Sequence, residues 1–476
     1  MAKRKIKKRK IFYLILGILL LISIFLNTYL LLKYKVLPTK YLSIYVVLVG
    51  IIPIIMIMYT LFKKRKSKIK GVIAGIEILY IIVLFILFFY LNSTFNFLDK
   101  FTKDLGYETK QYIVLVLKDS EYKDIKDLKG KKIAYTNGLD TSVDNAVKEL
   151  EKKIDFNSEK ADGYGEAFTN LDNKNIDGLL LTNSYYETLI EDDENDSYSK
   201  YFTIYKFNIK EKTEQVIKEV DVTSEPFNVY ITGIDTFGDI TEQKRSDVNI
   251  IMSVNPKTHN ILLINIPRDY YVEIAGKGVK DKLTHAGNAG VETSVKTVEK
   301  LLDIDINYYV KVNFNAVVKL VDALGGVDVY SEYDFRSTEY NYHFIKGNNK
   351  VNGLLALDFV RTRKAFLQGD RVRGENQQRM IQALINKITS PSILIKYDAL
   401  LKALDGCFVT NIPMDNITSI INYQLSEMQT WEFSTFSLNG SDDYVITSSG
   451  NNMYIMIPKE ETIQEAKQMI KENSQN

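Results

Sequence analysis

Cysteine is nearly absent from these 476 residues: Cys407 stands alone, so no internal disulfide can form. Its neighbours Gly406 and Phe408 suggest a small buried hydrophobe rather than a reactive thiol. Histidine is almost as scarce. His259, His285 and His343 are scattered, and no His/Cys spacing fits zinc. No G-x-S-x-G turn or similar elbow is present, so covalent catalysis by serine or cysteine has no candidate. A net charge of +2 and the lack of any DNA-binding motif give no reason to expect a nucleic-acid partner.

Arginine is also rare, and its distribution is uneven. Of eleven arginines, none lies between Lys66 and Lys244, and five fall within Arg361–Arg379, RTRKAFLQGDRVRGENQQR. Lysine carries the ordinary surface charge of this chain. A cluster of arginine then implies a need for the planar, always-charged fork that grips phosphate or carboxylate through paired hydrogen bonds. The plain alternative is a helix face with structural ion pairs.

What the chain has in abundance is apolar sequence near its start. Residues 1–10 carry seven lysines and arginines and precede an apolar run from Ile11 to Leu32. Two more runs follow, Tyr41 to Phe62 and Gly71 to Leu91, each about bilayer length. Seven positive residues before the first run and six in KKRKSKIK at 63–70, against three at 33–40, place the amino terminus inside the cell. The expectation is a cytoplasmic tail at 1–10, three transmembrane helices within 11–91, and everything after about Asn92 outside, in a multi-pass protein of the cell membrane.

Residues 108–215 are expected to form a small extracellular α/β accessory domain. Strands are read at Tyr112–Leu117, Lys132–Tyr135, Ile176–Thr182 and Phe202–Phe207, with a helix at Thr141–Ile154 capped by Ser142. DLKGKKIAYTNG at 127–138 and IDGLLLTNSYYETLI at 176–190 resemble one lobe of an extracellular solute-binding protein. With no second lobe, docking is the expected role. EDDEND at 191–196 is read as a solvated loop.

Residues 222–476 are expected to be a layered α-β-α catalytic domain around a mixed central sheet. Strands at Phe227–Ile234, Val248–Val254 and Ile261–Ile266, run up, down and up, bring Asp235, Arg245, Asp247, Arg268 and Asp269 to one sheet edge. Carboxylates close together need a proton or a cation between them, and an oxygen-rich site suits Mg²⁺ or Mn²⁺. Thr284–Gly290 is read as a loop lining that site. A helix at Leu354–Val360 presents Arg361 and Arg363. A long helix opening at Gly369 and Asp370 puts Arg373 and Gln377 on one face, with Met380, Ile381, Leu384, Ile385 and Ile388 as its apolar stripe.

The motifs GID, KRSDVNIIMSVNP, INIPRD, VDALGGVDVYS, FVRTR and GDRVRGENQQR, in this order and spacing, resemble the LytR-CpsA-Psr family. Three spans followed by an accessory domain look like its CpsA branch, from Gram-positive bacteria. The resemblance implies a glycopolymer transferase that moves a capsular polysaccharide or related wall polymer from an undecaprenyl pyrophosphate carrier to peptidoglycan. It implies Mg²⁺ or Mn²⁺ held by Asp235 and Asp247. It further implies pyrophosphate bound by Arg268, Arg361, Arg363 and Arg373 beside Gln377, with Arg245 orienting the site or contacting phosphate, and the lipid in an apolar groove. Asp269 or Asp370 is the expected acceptor of the incoming hydroxyl proton. The sequence departs from many members at Asn376, where they have Arg, and at Asn265, where they have Ser. Two alternatives remain open: a polyprenyl-pyrophosphate phosphatase, and a non-catalytic regulator or scaffold that meets other capsule-assembly proteins.

Overall fold

A computed structural model describes residues 2–35, 37, 39–63, 68–103, 107–136, 142–191, 196–212, 217–234, 240–390, 406–427, 429–446 and 452–475. The apolar runs form helices α1 (Ala2–Tyr34), α2 (Thr39–Tyr45), α3 (Ile52–Phe62) and α4 (Lys68–Lys103), with a π-helical turn, Val46–Ile51, between α2 and α3. Three stretches, Lys10–Tyr34, Tyr41–Phe62 and Lys68–Phe97, are helical, long and apolar enough to cross a membrane.

Beyond α4 the chain builds a sheet from β1 (Tyr107–Leu117), β2 (Lys132–Tyr135), β3 (Asn157–Lys160), β4 (Gly178–Thr182) and β5 (Tyr201–Lys212), ordered β3-β2-β4-β1-β5. β1 reads as a continuous apolar run because both its faces are covered. Ile113 and Leu115 pack toward α6 (Tyr164–Asp172) and α7 (Asn183–Glu191), while Tyr112, Val114 and Val116 pack toward α5 (Val143–Glu151). Two expectations change here. β1 and β5 are longer than expected, because they zip together from Tyr107↔Lys212 to Leu117↔Tyr201. Ser142 precedes α5 but makes no side-chain cap; its hydroxyl is taken by Lys110 Nζ and Tyr112 Oη. Most of the acidic 191–196 loop lies outside the described residues.

The second sheet is mixed. Its strands run in the order Phe408–Thr410, β11 (Tyr308–Asn313), β6 (Phe227–Ile234), β7 (Val248–Asn255), β8 (Asn260–Asn265) and Glu432–Ser437. β6, β7 and β8 are antiparallel neighbours as expected, and β11 and Glu432–Ser437 add parallel strands on either side. One face carries α8 (Val291–Leu302) and the helix Glu460–Gln475, through Val295, Val298, Ile463 and Ile470 against Ile251 and Ile264. The other face receives α11 (Gly369–Ile388), whose Ile381 and Ile385 meet Ile250 and Leu263. Met380 and Leu384 turn instead to a satellite core with α9 (Phe314–Ala323) and α10 (Gly353–Arg361), so the apolar stripe of α11 serves two cores. Cys407 is fully buried.

The sheet has two distinct edges. The β7–β8 turn is held by Tyr423, which donates to Pro256 O and pairs with His259 Nε2. Tyr423 belongs to the helix Met414–Glu427, which also docks on the membrane-proximal helices: Asn422 donates to Lys35 O, Tyr41 Oη donates to Leu425 O (3.3 Å), and Met414 and Ile417 pack on Leu30 and Phe95. The strand ends Ile234, Val248 and Asn265 lie at the opposite edge, where the charged residues gather.

Candidate anion-binding site

The charged cluster is built by chain reversals. β7 begins immediately after Asp247 and β8 is followed by Pro267, Arg268 and Asp269, so antiparallel pairing sets these residues side by side. Arg268 Nη1 donates to Asp247 Oδ1 at 2.6 Å, and Arg268 Nε stands 3.6 Å from Asp269 Oδ2. α11 supplies the facing wall, with Arg373 Nη2 3.3 Å from Asp370 Oδ1 and Arg363 Nη1 3.9 Å from the same oxygen. That wall depends on glycine at two points. A Cβ on Gly369 would sit 2.5 Å from Arg363 O, and one on Gly374 2.2 Å from Asn265 Nδ2, so only glycine lets α11 seat against its turn and against β8.

Asn265 and Asn376, the two departures from the family pattern, lie behind the cluster. Asn376 is fully buried and donates to Phe359 O at 3.4 Å, and Arg379 donates to its Oδ1 at 3.1 Å. Gln377 donates to Val360 O (3.4 Å) and thereby ties α11 to the end of α10. Gln378 bridges Leu263 O (2.9 Å) and Phe436 O (2.7 Å), fixing α11 across two strands.

Electrostatically the cluster is a mutually tuned set. Burial alone would push the Asp247 carboxyl up, but Arg268, Arg245 and Arg373 overcome it and hold Asp247 below the ordinary carboxylate range. Burial raises Asp269, and Asp370 beside it raises it further, against the pull of Arg268 and Lys282; Asp269 therefore resists ionisation. Asp370 goes the other way: burial is outweighed by Arg373 and Arg268, and its pKa is lowered. Burial lowers Arg373, with Arg268 and Arg363 adding to the effect and Asp370 and Asp247 only partly offsetting it. Arg268 is raised despite burial, by Asp247 and Asp269. Among the described residues, then, four arginines and Lys282 face three aspartates, of which Asp269 is the hardest to ionise. Arg268 Nε is buried and has no hydrogen-bond acceptor. The arrangement has positive charge to spare and an unfilled donor, as an anion site requires.

Of the residues singled out in the sequence, Arg268, Asp269, Asp247, Arg363, Asp370 and Arg373 stand together, and Arg245 is near enough to act on Asp247. Arg361 turns to Glu339 (3.1 Å) and lies over the Phe314 ring (4.4 Å). Asp235 lies outside the described residues. Thr284–Gly290 does border the site, since Thr284 Oγ1 is 3.4 Å from Asp247 Oδ1, but as a short 3₁₀ helix, Leu283–Ala289, rather than an open loop. Lys282 was not anticipated: it is buried with Nζ 3.5 Å from Asp269 Oδ1. Its signal was its place just before the segment expected to line the site. Met453–Ile457, read as a strand from the sequence, is one (Asn452–Pro458); its unforeseen partner Gly440–Ile446 completes a hairpin that pairs Met456 with Tyr270 and brings Tyr454 near enough for Asp269 and Asp370 to act on it.

A divalent cation is tested by donor chemistry. Mg²⁺ is usually held by one or two carboxylates, with water and phosphate oxygens completing its shell. Asp247 is a buried carboxylate that stays ionised, and so fits as one such ligand. Among the described residues no group of three or more acidic, histidine or cysteine ligands is gathered, so phosphate and water would supply the remainder.

Comparison with known proteins gives a consistent result. The sequence model of the LytR_cpsA_psr family matches residues 192–472. The polyisoprenyl-teichoic acid–peptidoglycan teichoic acid transferase TagU of Bacillus cereus strain AH820 is 38% identical over 231 residues, covering 45% of this chain and 75% of the relative. TagU of Bacillus subtilis strain 168 is 37% identical over 212 residues, covering 44% and 68%. Among solved structures, B. subtilis TagU aligns at 32% identity over 53% of this chain and 98% of that one, with a TM-score of 0.43. TagT bound to LIIa-WTA aligns at 30% identity over 54% and 94%, with a TM-score of 0.45.

Proposed function

The chain belongs to the LytR_cpsA_psr family, and from that premise we propose that it is a membrane-anchored transferase moving a wall glycopolymer from a polyisoprenyl pyrophosphate carrier onto peptidoglycan. The polymer is a capsular polysaccharide or a related wall glycan. The observation that carries this reading is the excess of buried positive charge at one sheet edge, with Arg268 Nε lacking an acceptor.

Arg268, Arg363 and Arg373 grip the pyrophosphate, and Arg245 holds Asp247 ionised and reaches the same anion. Arg361, paired with Glu339 and laid over the Phe314 ring, stays at the rim and adds little to the grip. Gln377 sets the spacing of the two arginine-bearing helices. Asp247, with Asp235, would hold Mg²⁺ or Mn²⁺, which when bound neutralises phosphate charge. In the reaction a peptidoglycan hydroxyl oxygen bonds to the glycan end, the bond between glycan and carrier breaks, and its electron pair leaves on a carrier phosphate oxygen. The arginines stabilise that developing charge, usually the largest catalytic contribution. Asp269 accepts the hydroxyl proton and shares it with Asp370, which lies against it. The membrane helices keep the enzyme beside the bilayer in which the carrier is rooted.

The test combines the purified full-length protein in vesicles with a polyprenyl-pyrophosphate-linked glycan and peptidoglycan. Wall-linked glycan should form. Recovery of polyprenyl pyrophosphate then indicates attack at the anomeric carbon, and recovery of polyprenyl phosphate indicates attack at phosphorus. Inorganic phosphate released without glycan transfer would replace this reading with a phosphatase. Wild-type wall attachment in cells whose only copy carries Arg268→Ala and Arg373→Ala, at normal protein levels, would replace it with a scaffold.

A further inference from the structure

The first sheet is stitched directly into the active-site scaffold. Glu108, on β1, is buried at the seam, and its carboxylate is gripped from three elements of the second unit. Gln243 Nε2 donates to Oε2 at 2.7 Å, Val291 N at the start of α8 donates to Oε1 at 3.2 Å, and Lys311 Nζ on β11 stands 3.6 Å from Oε1. A carboxylate on the first amide of α8 also meets the positive end of the helix dipole. Gly290 makes room for it: with φ of +104° and a would-be Cβ 2.6 Å from Glu108 Oε2, no other residue fits there.

The backbone continues the seam. Thr109 N donates to Thr241 O and Gln243 N to Thr109 O, both at 2.9 Å, so 241–243 lies parallel to β1 through a single β-bridge. Lys311 Nζ donates to Glu242 O (2.6 Å), and Lys244 pairs with Glu187 of α7 at 3.2 Å. Arg245, Ser246 and Asp247 follow at once. Ser246 N donates to Thr284 O (2.9 Å), and Gly287 lies so close that a Cβ would come within 2.4 Å of Lys244 O. The segment entering the anion site is therefore clamped on one side by β1 and on the other by Leu283–Ala289.

We infer that Glu108 is a positioning residue of the transferase: through Gln243 and Lys311 the accessory unit holds segment 240–247, and with it Arg245 and Asp247, in register with Arg268. This rests on the proposed function for its catalytic consequence but not for its structural one. The segment sits at a strand end in front of β7, and without β1 beside it the backbone of 241–243 loses its bridge partner.

The test is hydrogen exchange on the full-length protein in nanodiscs, with Glu108→Gln and, as a second variant that leaves the carboxylate in place, Gln243→Met. Both should speed exchange of 240–247 at least tenfold and leave 112–116 and 178–182 as protected as in the wild type. Transfer kcat should fall about tenfold in parallel. Pairing Thr109→Cys with Thr241→Cys, whose hydroxyls lie 3.1 Å apart, should restore the rate of Glu108→Gln when oxidised and not when reduced. Unchanged exchange at 240–247 in both variants, or no recovery on oxidation, would overturn the inference. A wild type that transfers nothing yet shows the exchange pattern would overturn the functional reading alone.

Discussion

Arg373→Ala is the most informative single change, because Arg373 is a largely enclosed cation of the site, its side chain only 12% exposed. In the free protein its partner is Asp370 Oδ1 at 3.3 Å. At an effective dielectric of about 20 that separation corresponds to about 5 kcal/mol of attraction before desolvation. Asp370 is 35% exposed, so solvent screening reduces the net contribution to about 1–2 kcal/mol of stability. The larger loss is in binding. A charge-assisted hydrogen bond to phosphate contributes about 1.5–3 kcal/mol, so removing it weakens anion binding about 10- to 100-fold. There is also a pH signature. Asp370 is held low in the native state, so its stabilisation is present above the ordinary carboxylate pKa and is lost as pH falls through the lowered value. Without Arg373 that lowering shrinks, and the stability difference between variant and wild type should close under acid conditions. Calorimetric titration with a soluble polyprenyl pyrophosphate, alongside thermal melts from acid to neutral pH, reads both effects. Binding within twofold of wild type would refute the argument that Arg373 carries unspent charge for a ligand.

Other changes separate the members of the cluster. Arg361→Ala should cost less than fivefold in binding, since a half-exposed ion pair such as Arg361–Glu339 contributes about 1 kcal/mol or less, whereas Arg268→Ala should match Arg373→Ala; equal losses would show that Arg361 leaves Glu339 to join the clamp. Transfer by the wild type should show an acid limb centred above the ordinary carboxylate value of about 4, because Asp269 becomes an available base only as pH rises through its elevated pKa, and Asp269→Asn should abolish that limb. The same shift means that Asp269 favours the fold below its ordinary pKa and loses this contribution as pH climbs through the raised one. Gly374→Ala should destabilise by about 1–3 kcal/mol through its clash with Asn265, and Asn265→Ser in the same chain should recover most of the loss in a thermal melt.

The features legible in the sequence are those written in local pattern. Strands β6, β7 and β8 follow from apolar runs bounded by turn residues, and their reversal alone predicts that Asp247, Arg268 and Asp269 share an edge. The arginine cluster stood out because lysine serves elsewhere. Arg371 and Arg379, the two arginines of that stretch not assigned to the site, pair with Glu375 of their own helix. What escaped depends on contacts far apart in the chain. Glu108 meets Gln243, Val291 and Lys311, none within reach of any periodicity argument. Lys282 gains its role from Asp269 only after β8 has turned back, and Gly440–Ile446, the first strand of the hairpin, begins with the polar run GSDD, unlike the apolar second strand. Arg361 shows the converse: its position in FVRTR suggests the clamp, while Phe314 and Glu339 draw it to the side.

The two edges of the central sheet set a distance between the N-terminal helices and the charged cluster. The helix Met414–Glu427 fastens the β7–β8 turn to the membrane-proximal helices, and the arginines stand at the other end of the eight-residue strand β7. At about 3.3 Å per residue that strand spans about 25 Å. For the proposed carrier, moored in the bilayer, the predicted requirement is a prenyl chain long enough to cover that span before its pyrophosphate docks. The expected outcome is a dependence on chain length: short-chain carriers presented in vesicles should go unused even where the same headgroups, free in solution, bind.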